Sequence, residues 1–195
     1  LELIDLSQTT DPAVRTLRDQ MKVPCPSGFV FIRYYASRHV MPLEVLPAFH
    51  RENTRGVTIL SRYIAVIEKQ ASEPGQQRFL EQSQTRILSH ELVHAYINSV
   101  LGRDRNRLPL WFHEACATYL SGSPGGERVS ELAQTPAGFK HVLFQDMAPR
   151  DYQQYQLLSE YLQAKLGRNT LHAQITAAIP TRSVQSLLSA TQLTT

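Results

Sequence analysis

Apolar and polar residues follow one rhythm in the first third of the chain and another after it. Residues 28–35 (GFVFIRYY) form a β-rich run, and 56–60 (GVTIL) and 63–67 (YIAVI) are β-branched runs flanking Ser61-Arg62. The first predicts a strand and the other two a hairpin, because branched and aromatic side chains suit a pleated, half-buried surface. Around them, Asp11-Pro12 reads as a helix entry, with Val14, Leu17, Arg18 and Met21 at helical spacing until Pro24 and Pro26 end the run. Residues 42–50 (PLEVLPAFH) predict a short helix.

The turn signal Glu73-Pro74-Gly75 closes this part. Glycine and proline then vanish from Gln76 to Leu101, long enough for a helix of about seven turns. Gly102 and Pro109 bracket a loop, and a second helix is predicted from about Leu110 to Leu120. Residues 121–126 (SGSPGG) punctuate the chain. Beyond them Thr135-Pro136 has the form of a helix N-cap, 151–166 reads as a helix stopped by Gly167, and a last helical run covers 181–190. Strands first and helices later predict an α+β fold. It would hold a short N-terminal mixed sheet and a mostly helical C-terminal part. At 195 residues the chain fits one domain. We divide it into a strand-rich part (1–75), a central helical pair (76–126) and a C-terminal helical region (127–195).

The chemistry concentrates on the long helix, in His90-Glu91-Leu92-Val93-His94. Helical residues four apart project from one face, so His90 and His94 can both direct a ring nitrogen at one metal ion. Glu91 falls beside that ion, where a carboxylate can take a proton from water the metal has activated. Idle histidines are the competing reading, since most histidines on apolar faces are ordinary core residues. The stripe Ile87, His90, His94, Ile97, Leu101 counts against it. Burying two imidazoles without partners would cost a few kcal/mol, and a metal removes that cost. Imidazole suits Zn2+, and a catalytic zinc takes three protein ligands and leaves a position for water. The second helix offers Glu114 as the third, twenty residues after His94.

HELVHAY followed by PLWFHEACATYL resembles the gluzincin zinc metallopeptidases, in particular the small peptidase-MA-like group. That resemblance implies a small zincin-like domain with His90, His94 and Glu114 as zinc ligands and Glu91 as general base. Trp111, Ala117 and Tyr119 match the pattern of the family's glutamate helix. Two positions depart from it, since His113 stands where Asn is common and Ala115 where Gly is. His113 is therefore a rival third ligand. It points about 100° away from Glu114 around a helix, so the two cannot both face the metal. The register on both sides favours Glu114. Residues 152–167 (YQQYQLLSEYLQAKLG) resemble the gluzincin helix whose first tyrosine stabilises the oxyanion. This implies that role for Tyr152, with Tyr155 as second choice and Tyr161-Leu162 as the family's Tyr-Leu pair. The hairpin at 56–67 resembles the sheet edge that precedes the zinc helix, an edge able to hold an extended peptide.

The function implied is hydrolysis of peptide bonds, with a peptide or protein as substrate. No Gly-x-Met-x-Asn segment for gripping a free amine precedes His90, which favours an endopeptidase over an aminopeptidase. The alternative is a catalytically silent zinc-binding module that recognises a peptide or protein partner. The resemblance also suggests an extracytoplasmic or membrane-anchored setting. Composition narrows the field only a little. Twenty basic against 17 acidic residues leave a formal charge of +3, too small and scattered to indicate nucleic acid. No apolar stretch approaches the length of a transmembrane span. Two cysteines make neither a disulfide framework nor a cysteine zinc site, although one bridge remains open. Cys116, inside a predicted buried helix, reads as a small apolar thiol.

Overall fold

The structure is a computed structural model describing residues 1–24, 28–49, 55–68, 76–122 and 152–193; the side chains of 48–49, 76–80, 105 and 152–154 are not described. The expected N-cap at Thr135-Pro136 and the 123–126 turn lie outside the described residues.

Four strands make one mixed sheet, β1 (Glu2–Asp5), β2 (Phe29–Tyr35), β3 (Gly56–Ile59) and β4 (Tyr63–Ile67), in the order β1-β2-β4-β3. β1 and β2 are antiparallel, β2 and β4 parallel, and β3 returns antiparallel to β4 with Ile59 opposite Tyr63. The expected hairpin is present, and β3 is an edge strand. Its turn takes in Leu60, whose φ of 59° is unusual for a bulky side chain. Asn98 of the long helix donates to the Leu60 carbonyl at 2.9 Å and helps hold that turn. β1 was not anticipated from the sequence.

Alternation along the strands builds two apolar layers. Val30, Ile32, Ile64 and Val66 face the main core, while Tyr35 and Ala65 face the other way with Met41 and Val45. Met41 and Val45 come from the connection after β2. The expected helix there is instead a pair of 3-10 turns, Arg38–Val40 and Leu46–Phe49, and His50 lies outside the described residues.

The helices cover the main core. α1 (Pro12–Arg15) begins where expected, with the Asp11 carboxylate accepting from Ala13 N and Val14 N, and then widens into a π-helical turn, Thr16–Gln20. α2 (Gln76–Leu101) has the expected length, and α3 (Leu110–Leu120) follows a 3-10 turn at Gly102–Arg107. α4 (Tyr152–Thr181) breaks at Gly167, whose φ of 70° only glycine adopts without cost, and resumes at once. Gly167 is therefore a kink between two helical segments rather than the end of helix there. α5 (Gln185–Ala190) closes the described chain. The fold is α+β with a mostly helical C-terminal part, as the order of elements predicted. No helix among the described residues is long and apolar enough to cross a membrane.

Candidate metal centre

α2 runs through the middle of the core rather than along its edge. Leu92, Val93, Ala95, Tyr96 and Ile97 are all buried, so apolar residues surround the helix on several sides. The single apolar stripe expected from the sequence is thus one part of a helix packed by the sheet on one flank and other helices elsewhere. Within that segment His90 and His94 stand one turn apart. Their Nε2 atoms are 3.1 Å apart, with ring centroids 4.7 Å apart and planes at 76°. Neither side chain is fully buried, at 16% and 12% exposure.

α3 delivers the third group. Gly102, at φ 59°, ends α2 in the left-handed conformation favoured for helix stops. The 3-10 turn follows, buried Leu108 anchors the connection and Pro109 opens α3. Trp111, Phe112, Ala115, Cys116 and Ala117 then bury α3. Glu114 reaches α2, with Oε2 at 3.3 Å from His90 Nε2 and Oε1 at 3.6 Å from His94 Nε2.

His90, His94 and Glu114 therefore form a cluster that could hold a metal ion. Glu114 Oε2 is in a state that suits a bound cation. It is buried and makes no hydrogen bond, so its approach to His90 is unaligned for one. A carboxylate oxygen in that state is costly unless a cation meets it. The charges are arranged accordingly. Burial opposes ionisation of Glu114, but the His94 charge and the two imidazoles lying against the carboxylate hold it well below the usual carboxylate range. Burial likewise opposes the His94 cation, yet the Glu114 carboxylate beside it raises it above its ordinary value.

The rival ligand does not join the cluster. His113 is buried, and its ring centroid lies 6.4 Å from that of His94 with the planes 30° apart. Glu114, one residue on, takes the place beside both imidazoles.

Glu91 is buried at 7% exposure. Its carboxylate Oε2 accepts a hydrogen bond from Thr58 Oγ1 at 2.7 Å. The sequence reading assigned nothing to Thr58, or to Gly56 two residues earlier, because neither is near the motif in sequence. The one available signal was a glycine opening the strand expected at the sheet edge.

Tyr152 opens α4, and its side chain is outside those described. Tyr155 belongs to the main core at 4% exposure, and Tyr161 is buried with its hydroxyl donating to the Thr191 carbonyl at 3.0 Å. Cys116 is a free, buried thiol, as expected, while Cys25 lies outside the described residues. No protein-family model, curated protein or solved structure matches the chain.

Proposed function

We propose that this chain is a zinc-dependent peptidase of the gluzincin kind, and an endopeptidase rather than an aminopeptidase. The observation that carries the reading is that His90, His94 and Glu114 each bring one ligand atom within 4.8 Å of the other two. The imidazole Nε2 atoms are 3.1 Å apart, and the carboxylate oxygens lie 3.3 Å from one and 3.6 Å from the other. A tetrahedral zinc with bonds of about 2.0–2.1 Å sets its ligand atoms about 3.3 Å apart. Two imidazoles and one carboxylate are also the donor set of a catalytic zinc with one position open.

His90, His94 and Glu114 would hold the ion. When bound, zinc supplies a Lewis acid that polarises the scissile carbonyl and acidifies water. Glu91, next to His90, takes the proton as water attacks and passes it to the leaving amine. The β3 edge of the β3–β4 hairpin, which packs against Glu91, would give an extended peptide main-chain partners. Tyr152 completes the proposal as a donor to the oxyanion.

Metal analysis of protein purified without chelators should find about one equivalent of zinc, as a single three-ligand site requires. Less than about a tenth of an equivalent overturns the reading. Glu91→Gln should retain zinc and lose cleavage of a peptide library. A zinc-loaded wild type that cleaves nothing marks a recognition module instead of an enzyme.

A further inference from the structure

The edge strand β3 passes over the middle of α2, and two of its residues address Glu91. Gly56 and Thr58 are two apart in a strand and so share a face. A Cβ at Gly56 would lie 2.7 Å from Ile87 Cγ2 and 2.9 Å from both Glu91 Cγ and Glu91 Oε1. Only a residue without a side chain lets strand and helix approach this closely. Thr58 Oγ1 lies 2.7 Å from Glu91 Oε2 and 2.9 Å from the Glu91 carbonyl. The hydroxyl has one proton for two acceptors. The carboxylate is nearer, and its charge makes the stronger bond.

Together these contacts fix a side chain that would otherwise choose among rotamers. Cγ and Oε1 are confined under the bare backbone of Gly56, and Oε2 is held by Thr58. A proton-transferring carboxylate works only within hydrogen-bond reach of the proton it moves. Its usefulness therefore depends on what locks its rotamer.

We propose that Thr58 is the positioning residue of Glu91, its hydroxyl holding the carboxylate in one orientation beside the His90–His94–Glu114 cluster. Thr58 acts through Glu91. The catalytic consequence rests on the peptidase reading; the contact itself does not.

Thr58→Val keeps the shape of the side chain and removes the hydroxyl, whereas Thr58→Ser keeps the hydroxyl. In zinc-loaded full-length protein, Thr58→Val should lower kcat about 10- to 100-fold with KM and zinc content unchanged, the scale usual for an outer contact to a metal site. Thr58→Ser should stay within about threefold of the parent, because the bond can re-form. An unfolding cycle reads the same contact without turnover. Thr58→Val should lower the unfolding midpoint more in the parent than in a Glu91→Ala background, where only the bond to the main-chain carbonyl of residue 91 is left to lose. Three results overturn the proposal: Thr58→Ser losing as much turnover as Thr58→Val, a loss confined to KM, or equal midpoint shifts in the two backgrounds. A wild type that cleaves no peptide overturns the peptidase reading, and the unfolding cycle then decides the role of Thr58 by itself.

Discussion

Ser89 donates a hydrogen bond to Asp11 Oδ2 across 2.5 Å, joining residues 78 positions apart. The other oxygen of the same carboxylate accepts from Ala13 N at 3.0 Å and Val14 N at 3.1 Å. One side chain thus caps α1 and grips α2 one residue before His90. Asp11→Ala removes both functions and leaves the buried Ser89 hydroxyl without this acceptor. The expected cost is about 2 kcal/mol, summing a lost cap and a lost charge-assisted bond. Asp11→Asn can still cap and should recover roughly half of it. Urea unfolding of the zinc-free chain measures both, and wild-type stability in Asp11→Ala would contradict the assignment.

Gly56→Ala tests how closely β3 and α2 are joined. The added methyl meets Ile87 Cγ2 at 2.7 Å and Glu91 at 2.9 Å, so one of the three must move. Overpacking of this kind costs about 1–3 kcal/mol. Adding Ile87→Ala relieves the contact with Ile87 and leaves the one with Glu91. On the peptidase reading, the double variant should therefore regain part of the stability without regaining peptide cleavage. Recovery of both would mean that Glu91 tolerates the displacement.

The sequence announced the parts of this site that depend on short-range periodicity. Glycine and proline are absent between Gln76 and Leu101, and the helix occupies those same residues. His90 and His94 follow from helical repeat alone. Helix geometry allowed only one of Glu114 and His113 beside the imidazoles, and it was the register of the surrounding residues, not the geometry, that favoured Glu114. What stayed hidden arises from chain segments meeting across the fold. Thr58 reaches Glu91 because β3 is an edge strand that runs over α2, and no local pattern in GVTI encodes that crossing. β1, at four residues, is too short for its alternation to stand out. Gly167 was visible as a break, but a glycine that ends one helix and starts another looks the same in sequence as one that ends it for good.

Cys116 provides a report on the α3 packing that needs no activity. It is 3% exposed, and burial pushes its thiol well above the usual range. A thiol kept neutral and covered is a poor nucleophile. In a Cys25→Ser background, a water-soluble disulfide reagent should leave Cys116 unmodified in the folded chain and label it fully in denaturant. Rapid labelling of the folded chain would show that α3 opens, and with it the Glu114 side of the cluster.

Proton competition would give the proposed zinc centre a distinctive pH dependence. In the metal-free chain, burial alone would lower His94, but the charge of Glu114 beside it raises it above its ordinary 6.5. Burial alone would raise Glu114, but the His94 charge and the neighbouring His90 imidazole take it below its ordinary 4.5. The His94 contribution to stability is complete below 6.5 and is lost as pH rises through the raised value. The Glu114 contribution is present above 4.5 and is lost as pH falls through the lowered value. The metal-free pair therefore stabilises most between those two ordinary values. Zinc needs the imidazole unprotonated, so a proton must leave His94 as the ion enters. Apparent zinc affinity should climb with pH by up to about tenfold per unit, levelling once pH exceeds the raised His94 value. Chelator competition between about pH 5.5 and 8 measures the slope against the ordinary imidazole value. An affinity flat across that range would mean that His94 is no ligand. Stability should follow the same linkage, with zinc at about a hundred times its dissociation constant adding about 2.7 kcal/mol and chelation removing it.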